Sequence, residues 1–193
     1  MEYHSSMKCL TYARQAASTI LSIAVLAAVP TIASAAGNDR PPVLQTVAPA
    51  RILVPSIDVD APIIELGLKP NGEMDAPEGP SPVGWYNFSP TPGNPGNTVM
   101  SGHRDWRTGV TGVFWRLNEI RPGDRIAVQL ADGNQVEYIA AVSALIGEDE
   151  MPISEVVGHT DVETITLISC EGVFNPATHG YDKRRVVWAS RAT

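Results

Sequence analysis

The chain has 193 residues, 44% of them hydrophobic, and a formal net charge of −7. That length allows one domain plus a targeting segment, with enough apolar mass for a real core. Setting aside Lys8, Arg14 and Glu2, which precede residue 37, leaves 12 basic and 20 acidic residues, a balance of −8. Such a domain lacks the basic face that nucleic-acid binding needs and the polybasic patch that holds an anionic membrane surface.

Residues 1–36 read as a targeting segment. Lys8 and Arg14 precede an apolar run from Ala16 to Ala36 that contains Ala33-Ser34-Ala35 near its end. Positive residues, an apolar core and a small-residue site are the layout of a cleaved secretory signal. The same 21 residues, at about 1.5 Å each, also make a helix of roughly 30 Å, long enough for a retained membrane anchor. Both readings place the domain outside the cytoplasmic membrane. Residues 37–50 form a polar, proline-containing linker, and the folded domain is expected over residues 51–193.

From there the signals are short β-type runs separated by Gly, Pro and Asn. Strands are predicted over Arg51–Val54, Ala61–Leu68 and Asn97–Ser101. Gly109–Ile120 is the best candidate for a helical turn, ended by Pro122-Gly123-Asp124. Arg125–Leu130 and Val136–Ile146 flank Asp132-Gly133, a strong hairpin signal. Val162–Ser169 and Val186–Ala189 complete a compact, mainly β domain, a barrel or a sandwich.

The chain has two cysteines, Cys9 ahead of the apolar run and Cys170 at the end of a strand-like segment. No intramolecular disulfide is therefore expected. A cysteine attacks as its thiolate and needs a neighbour that favours the anion or takes the proton, usually histidine. Of the four histidines, His103 ranks first, because Gly102 lets the backbone turn and bring the imidazole to a strand end. His179 ranks second and His159 lies in a polar stretch. Acyl transfer also needs donors where an oxyanion develops. Lys183-Arg184-Arg185 supplies them, and strand alternation sends Arg184 and Arg185 to opposite faces. No His/Cys/Asp cluster with metal-ligand spacing is present, and no cofactor is expected. Taken singly, each signal also fits a bland alternative: a buried thiol, a loop histidine, a solvated basic face.

Together they resemble a family. Thr166-Leu167-Ile168-Ser169-Cys170 resembles the Thr-Leu-x-Thr-Cys signature of sortases, the cell-wall cysteine transpeptidases of bacteria. Ser101-Gly102-His103-Arg104-Asp105 resembles that family's histidine segment, and Asp182 to Ala189 its arginine-bearing last strand. The order His, Cys, Arg is the family's order, and Pro92-Gly93-Asn94-Pro95-Gly96 is closest to its class E and class F groups. The resemblance implies a closed eight-stranded β-barrel with short helices. It makes Cys170 the nucleophile, His103 the general acid/base and Arg184 the group that holds substrate and stabilises the oxyanion. Ser169, Thr166 and Asp105 are carried over as substrate-binding positions. Ser169 departs from the usual threonine, keeping the hydroxyl and losing the methyl.

The implied reaction is cleavage of a Leu-Pro-x-Thr-Gly-like sorting signal between Thr and Gly. The thioacyl intermediate is then passed to an amine of a peptidoglycan precursor or a pilin subunit. Implied partners are surface proteins bearing such signals, and the membrane if the N-terminal segment is retained. Glu148, Asp149 and Glu150 lie in the loop before the cysteine strand, where a solvated acidic loop is the default and signal selection or cation binding the alternatives. Two rivals are an L,D-transpeptidase-like enzyme, whose nucleophile motif has a glycine before the cysteine that is absent here, and a non-catalytic secreted β-domain that binds a wall component.

Overall fold

The computed structural model describes residues 47–193; the N-terminal segment, with its two readings as leader or anchor, and Cys9 lie outside the described residues. Among the described residues no helix is long and apolar enough to cross a membrane.

The chain forms ten strands: β1 (Pro49–Val54), β2 (Val59–Leu66), β3 (Val83–Tyr86), β4 (Asn97–Ser101), β5 (Asp105–Trp106), β6 (Val110–Thr111), β7 (Arg125–Leu130), β8 (Gln135–Gly147), β9 (Thr164–Asn175) and β10 (Gly180–Arg191). One short helix, α1 (Ile153–Val156), and four 3-10 turns complete the described elements. Eight strands close a barrel in the order β1-β2-β3-β4-β9-β10-β8-β7, and β5 and β6 pair separately. The expected mainly β, eight-stranded barrel is what the chain adopts. Parallel pairing occurs at β2–β3 and at β4–β9.

Alternation along the strands fills the interior. Ile52 and Val54 of β1, Ala61 and Ile63 of β2, Ile126, Val128 and Leu130 of β7, and Leu167 and Val187 of β9 and β10 all belong to one buried cluster. The opposite faces of β1 and β2 are largely exposed, the pattern of a strand with one wet side. β3 and β4 are buried at every position, and β9 at five consecutive positions from Ile165. Their outer faces carry a second small core of Met74, Tyr86, Val99, Val156, Ile168 and Val186. Met74 comes from the β2–β3 connection and Val156 from α1, so these two segments roof the outside of the barrel there.

Three local features explain where the elements fall. At the β7–β8 hairpin Gly133 takes a φ of +89° and its amide donates to Leu130, as the Asp-Gly signal foretold. β3 has four residues with glycine among them; a Cβ on Gly84 would lie 2.0 Å from Leu66 Cδ1, so the Leu66 side chain fills the space that glycine leaves. The helical turn expected over Gly109–Ile120 does not form as such: the stretch contains β6 and a 3-10 turn at Leu117–Glu119. From Trp115 onward several amides bond locally, three residues back, but earlier ones are taken elsewhere. Gly112 N donates to the Arg104 carbonyl at 2.8 Å and Phe114 N to the His103 carbonyl at 2.9 Å.

Leu167 is fully buried at the centre of the interior cluster. Leu167→Ala is expected to cost about 2–5 kcal/mol of stability, read as a lowered urea midpoint with an unchanged slope; a near-zero shift would mean the interior is not packed as described.

Candidate active site

β9 runs between β4 and β10, and the pairing on each side brings the candidate residues to one place. On one side Arg184 is the direct partner of Cys170, so both side chains point to the same face. On the other, Ser101 pairs with Ile168, and Gly102 N donates to the Ile168 carbonyl at 3.1 Å. His103 follows at once, next to the end of β9 that holds Cys170. The face is the outer one, because Ile168 and Val186 of the second core stand two residues from Cys170 and Arg184 on their respective strands and so share their face by alternation. Arg185 sits on the opposite face, paired with Glu171 at 2.7 Å. The register thus sets Arg184, and not Arg185, on the face of Cys170.

His103 is partly buried. Its Nε2 lies 2.8 Å from the Pro77 carbonyl, and a carbonyl only accepts, so Nε2 carries a proton. Trp106 packs edge-on against the imidazole, with centroids 4.8 Å apart. Burial pushes the His103 pKa down, against the opposing pull of the Pro77 hydrogen bond and the Asp105 charge. Cys170 is a free cysteine of intermediate exposure. Burial pushes its thiol up; Arg184 pulls it down, Glu148 and Asp105 push it up, and Arg104 pulls it down. Both dominant shifts favour neutral forms, a thiol beside an imidazole.

Arg184 is 1% exposed, the largest fully buried side chain among the described residues. Its Nη1 donates to the carbonyls of Tyr181 at 2.8 Å and Lys183 at 3.0 Å, and its Nη2 to Glu148 Oε1 at 2.7 Å. The Nε has no partner; among the described residues it and Ser143 Oγ are the buried side-chain polar atoms left unsatisfied. An orphaned buried donor costs about 1–3 kcal/mol, and an acceptor brought by a substrate would relieve that cost.

The remaining sequence candidates hold the scaffold. Ser169 Oγ donates to the Gly102 carbonyl at 3.0 Å, which pins the turn that carries His103 and commits the hydroxyl proton there. Thr166 donates to Asn97 Oδ1 at 2.7 Å, while Asn97 Nδ2 donates to the Val156 carbonyl at 3.0 Å, anchoring α1. Thr166 stands four residues from Cys170, about 13 Å along an extended strand. Asp105 Oδ2 accepts from the Tyr181 hydroxyl at 2.6 Å, joining the histidine loop to β10. The structure thus brings Cys170, His103 and Arg184 together and leaves Ser169 and Thr166 beneath or behind them. It adds Glu148, Tyr181, Trp106 and Pro77. Glu148 was visible only as part of an acidic loop; nothing local marked the other three.

A closed barrel that sets a thiol and a buried guanidinium on adjacent strands, beside the imidazole that follows a third, has the groups that thiol-dependent acyl transfer needs. A family model described as the sortase domain matches residues 52–192. The chain belongs to the sortase family, whose members are cysteine transpeptidases. Among similar solved structures is a lid mutant of sortase A from Corynebacterium diphtheriae, 23% identical with a TM-score of 0.58, covering 76% of this chain and 70% of that one. Sortase C-1 from Actinomyces oris is 24% identical with a TM-score of 0.55, over 75% of this chain and 73% of that one. A sortase D5 transpeptidase from Clostridium perfringens is 20% identical with a TM-score of 0.56, over 76% and 79%. At these identities the likeness concerns the fold. No curated protein matches the chain.

The thiol shift sets a pH expectation. Alkylation of Cys170 by a methanethiosulfonate reagent should be slow at neutral pH and rise with a midpoint above the ordinary thiol range near 8.5. Arg184→Gln removes the charge that lowers the thiol pKa, so its midpoint should lie higher still. A wild-type midpoint below that of a free thiol would overturn the neutral resting pair.

Proposed function

We propose that Cys170 is the nucleophile of a sortase reaction, with His103 as general acid/base and Arg184 holding substrate and stabilising the oxyanion. The observation that carries this reading is the pairing of β9, which puts Arg184 opposite Cys170 while the β4 ladder delivers His103 to its other side. Cys170 attacks the carbonyl carbon of the Thr–Gly bond in a Leu-Pro-x-Thr-Gly-like signal. The thiol proton passes to His103, whose Nδ1 is the nitrogen not committed to Pro77. The tetrahedral oxygen is met by the Arg184 guanidinium, whose Nε still lacks an acceptor. Collapse expels the glycine amine, protonated by His103, and leaves a thioester on Cys170. An amine of a peptidoglycan precursor or a pilin subunit then attacks the thioester and restores the thiol.

The positive residues and apolar run at the start of the chain support an extracytoplasmic site of action, held at the membrane or released to the cell surface. The segment Pro92 to Gly96 supports a place near classes E and F. Membership of the sortase family weighs against the L,D-transpeptidase alternative. A non-catalytic wall-binding domain would have no use for a buried guanidinium with a free donor beside a partly exposed thiol.

A peptide-library cleavage assay, run with and without an added amine, tests the reading. Cys170→Ala should abolish cleavage with an unchanged melting temperature, and surviving activity would sink the assignment. Arg184→Ala should reduce kcat by about 10²–10³, the scale for a lost oxyanion donor, whereas Arg185→Ala should stay close to wild type. Equal losses in the two arginine variants would undo the choice of Arg184.

A further inference from the structure

We propose that Glu148 is a positioning residue of this enzyme: its carboxylate, delivered by the turn that follows β8, fixes the orientation of the Arg184 guanidinium and helps set the charge that Cys170 meets. The inference rests on the roles of Cys170 and Arg184 proposed above.

β8 ends by pairing with the functional part of β10. Ile146 is the partner of Arg184 and Gly147 of Lys183, and the 3-10 turn Glu148–Glu150 starts at the next residue. Glu148 is therefore placed by ladder register, although it stands 36 residues from Arg184 in sequence. The two carbonyls on Nη1 orient the guanidinium but carry no charge. Glu148 supplies the carboxylate and forms a salt bridge with Arg184 at 2.7 Å, with the Arg184 side chain 1% and the Glu148 side chain 35% exposed. A cation taken that far out of water needs a counter-charge, and removing one partner of such a pair leaves the other uncompensated. Neither neighbour offers a substitute: Glu171 is committed to Arg185 on the other face, and Asp149 and Glu150 are exposed.

The arrangement leaves a specific donor open. With Nη1 on two carbonyls and Nη2 on Glu148, Nε–H remains without an acceptor. Glu148 thus decides which edge of the guanidinium is spent on the protein and which atom is kept for a substrate oxygen. A second consequence is electrostatic. The charged groups that act on Cys170 are Arg184 and Arg104, which pull the thiol pKa down, and Glu148 and Asp105, which push it up; the neutral His103 and the Tyr181 hydroxyl complete the surroundings. Losing the Glu148 charge should misplace Arg184 and, separately, make the thiol easier to ionise. A residue that merely stabilised the fold would not do the second.

The test uses the full chain carrying Glu148→Gln, Glu148→Asp or Asp149→Asn, with Cys170→Ala, Arg184→Ala and Arg184→Gln alongside. Peptide-cleavage kinetics and the pH profile of Cys170 alkylation are measured for each active variant. Glu148→Gln is expected to lower kcat between about tenfold and a hundredfold, the scale for a misplaced catalytic group, with KM little changed. Its alkylation midpoint should move down, opposite to that of Arg184→Gln. Glu148→Asp should recover part of kcat, and Asp149→Asn should match wild type in both readouts. A Glu148→Gln enzyme with wild-type kcat and an unmoved midpoint overturns the proposal. So does one faster than wild type, which would make Glu148 a competitor of substrate for Arg184. If Cys170→Ala still cleaves, the functional reading itself fails; if Cys170→Ala and Arg184→Ala are inactive while Glu148→Gln is unaffected, only this inference does.

Discussion

A central strand with both faces buried cannot slip in register, and β9 is such a strand over Ile165–Ser169. One face is sealed by the barrel interior around Leu167, the other by the outer core around Ile168. A slip of one residue would exchange the two faces and drive Ser169 and Cys170 into the wrong environments. The same constraint fixes the neighbours. β4 lies parallel on one side and β10 antiparallel on the other, so the heights of His103 and Arg184 relative to Cys170 are consequences of packing several residues away. The two cores on either side of β9 hold that register.

Beyond the end of the β4 ladder the histidine turn is secured differently. Ser169 takes the Gly102 carbonyl from below, Phe114 N and Gly112 N take the carbonyls of His103 and Arg104 from the side, and Tyr181 reaches across to Asp105. Gly112 is required for the lateral contact, because a Cβ there would stand 2.2 Å from the His103 carbonyl oxygen. A similar device acts on β9 just past the cysteine. Gly172, at a φ of +92°, makes the register shift opposite Asp182, whose carboxylate accepts from Val173 N at 2.6 Å. Loops that carry reacting groups are mobile by default; here backbone donors and glycines bind them to the barrel.

Much of this was legible in the chain. The Asp132-Gly133 hairpin, the run into Cys170 and the strand before His103 are local signals, and local signals survive folding. Strand alternation alone separated Arg184 from Arg185, and the register keeps them on opposite faces. What escaped was non-local. β3 is four residues with a glycine inside, and it is a strand only because β2 and β4 accept it on either side. The stretch from Gly109 turns locally only from Trp115 onward, because Gly112 N and Phe114 N are drawn to the histidine turn, a partnership that no local signal marks. Ser169 and Thr166 were read as substrate groups because they share a motif with Cys170. Their hydroxyls clamp Gly102 and Asn97, so at least part of that motif also encodes scaffold. The acidic loop looked solvated, and only the meeting of β8 with β10 gives Glu148 its partner.

The electrostatics of the site follow from that meeting. A guanidinium buried to 1% exposure would ordinarily be a strong local positive field, enough to draw a neighbouring thiol toward ionisation. Burial opposes that pull most strongly, and Glu148 and then Asp105 add to the opposition, so the Cys170 thiol pKa stands above its ordinary value. The imidazole moves the other way for the same reason, burial. A neutral thiol is a poor nucleophile and a poor target for oxidation alike. In the proposed reaction the charge separation needed for attack arises with substrate in place, when a peptide excludes water and its carbonyl oxygen supplies the acceptor that Arg184 Nε lacks. At that moment the positive charge held by the protein faces a developing negative charge in a site already shielded from solvent, where such an interaction counts for most. The orphaned donor and the suppressed thiol are two sides of one design: both costs are carried at rest and relieved together along the reaction.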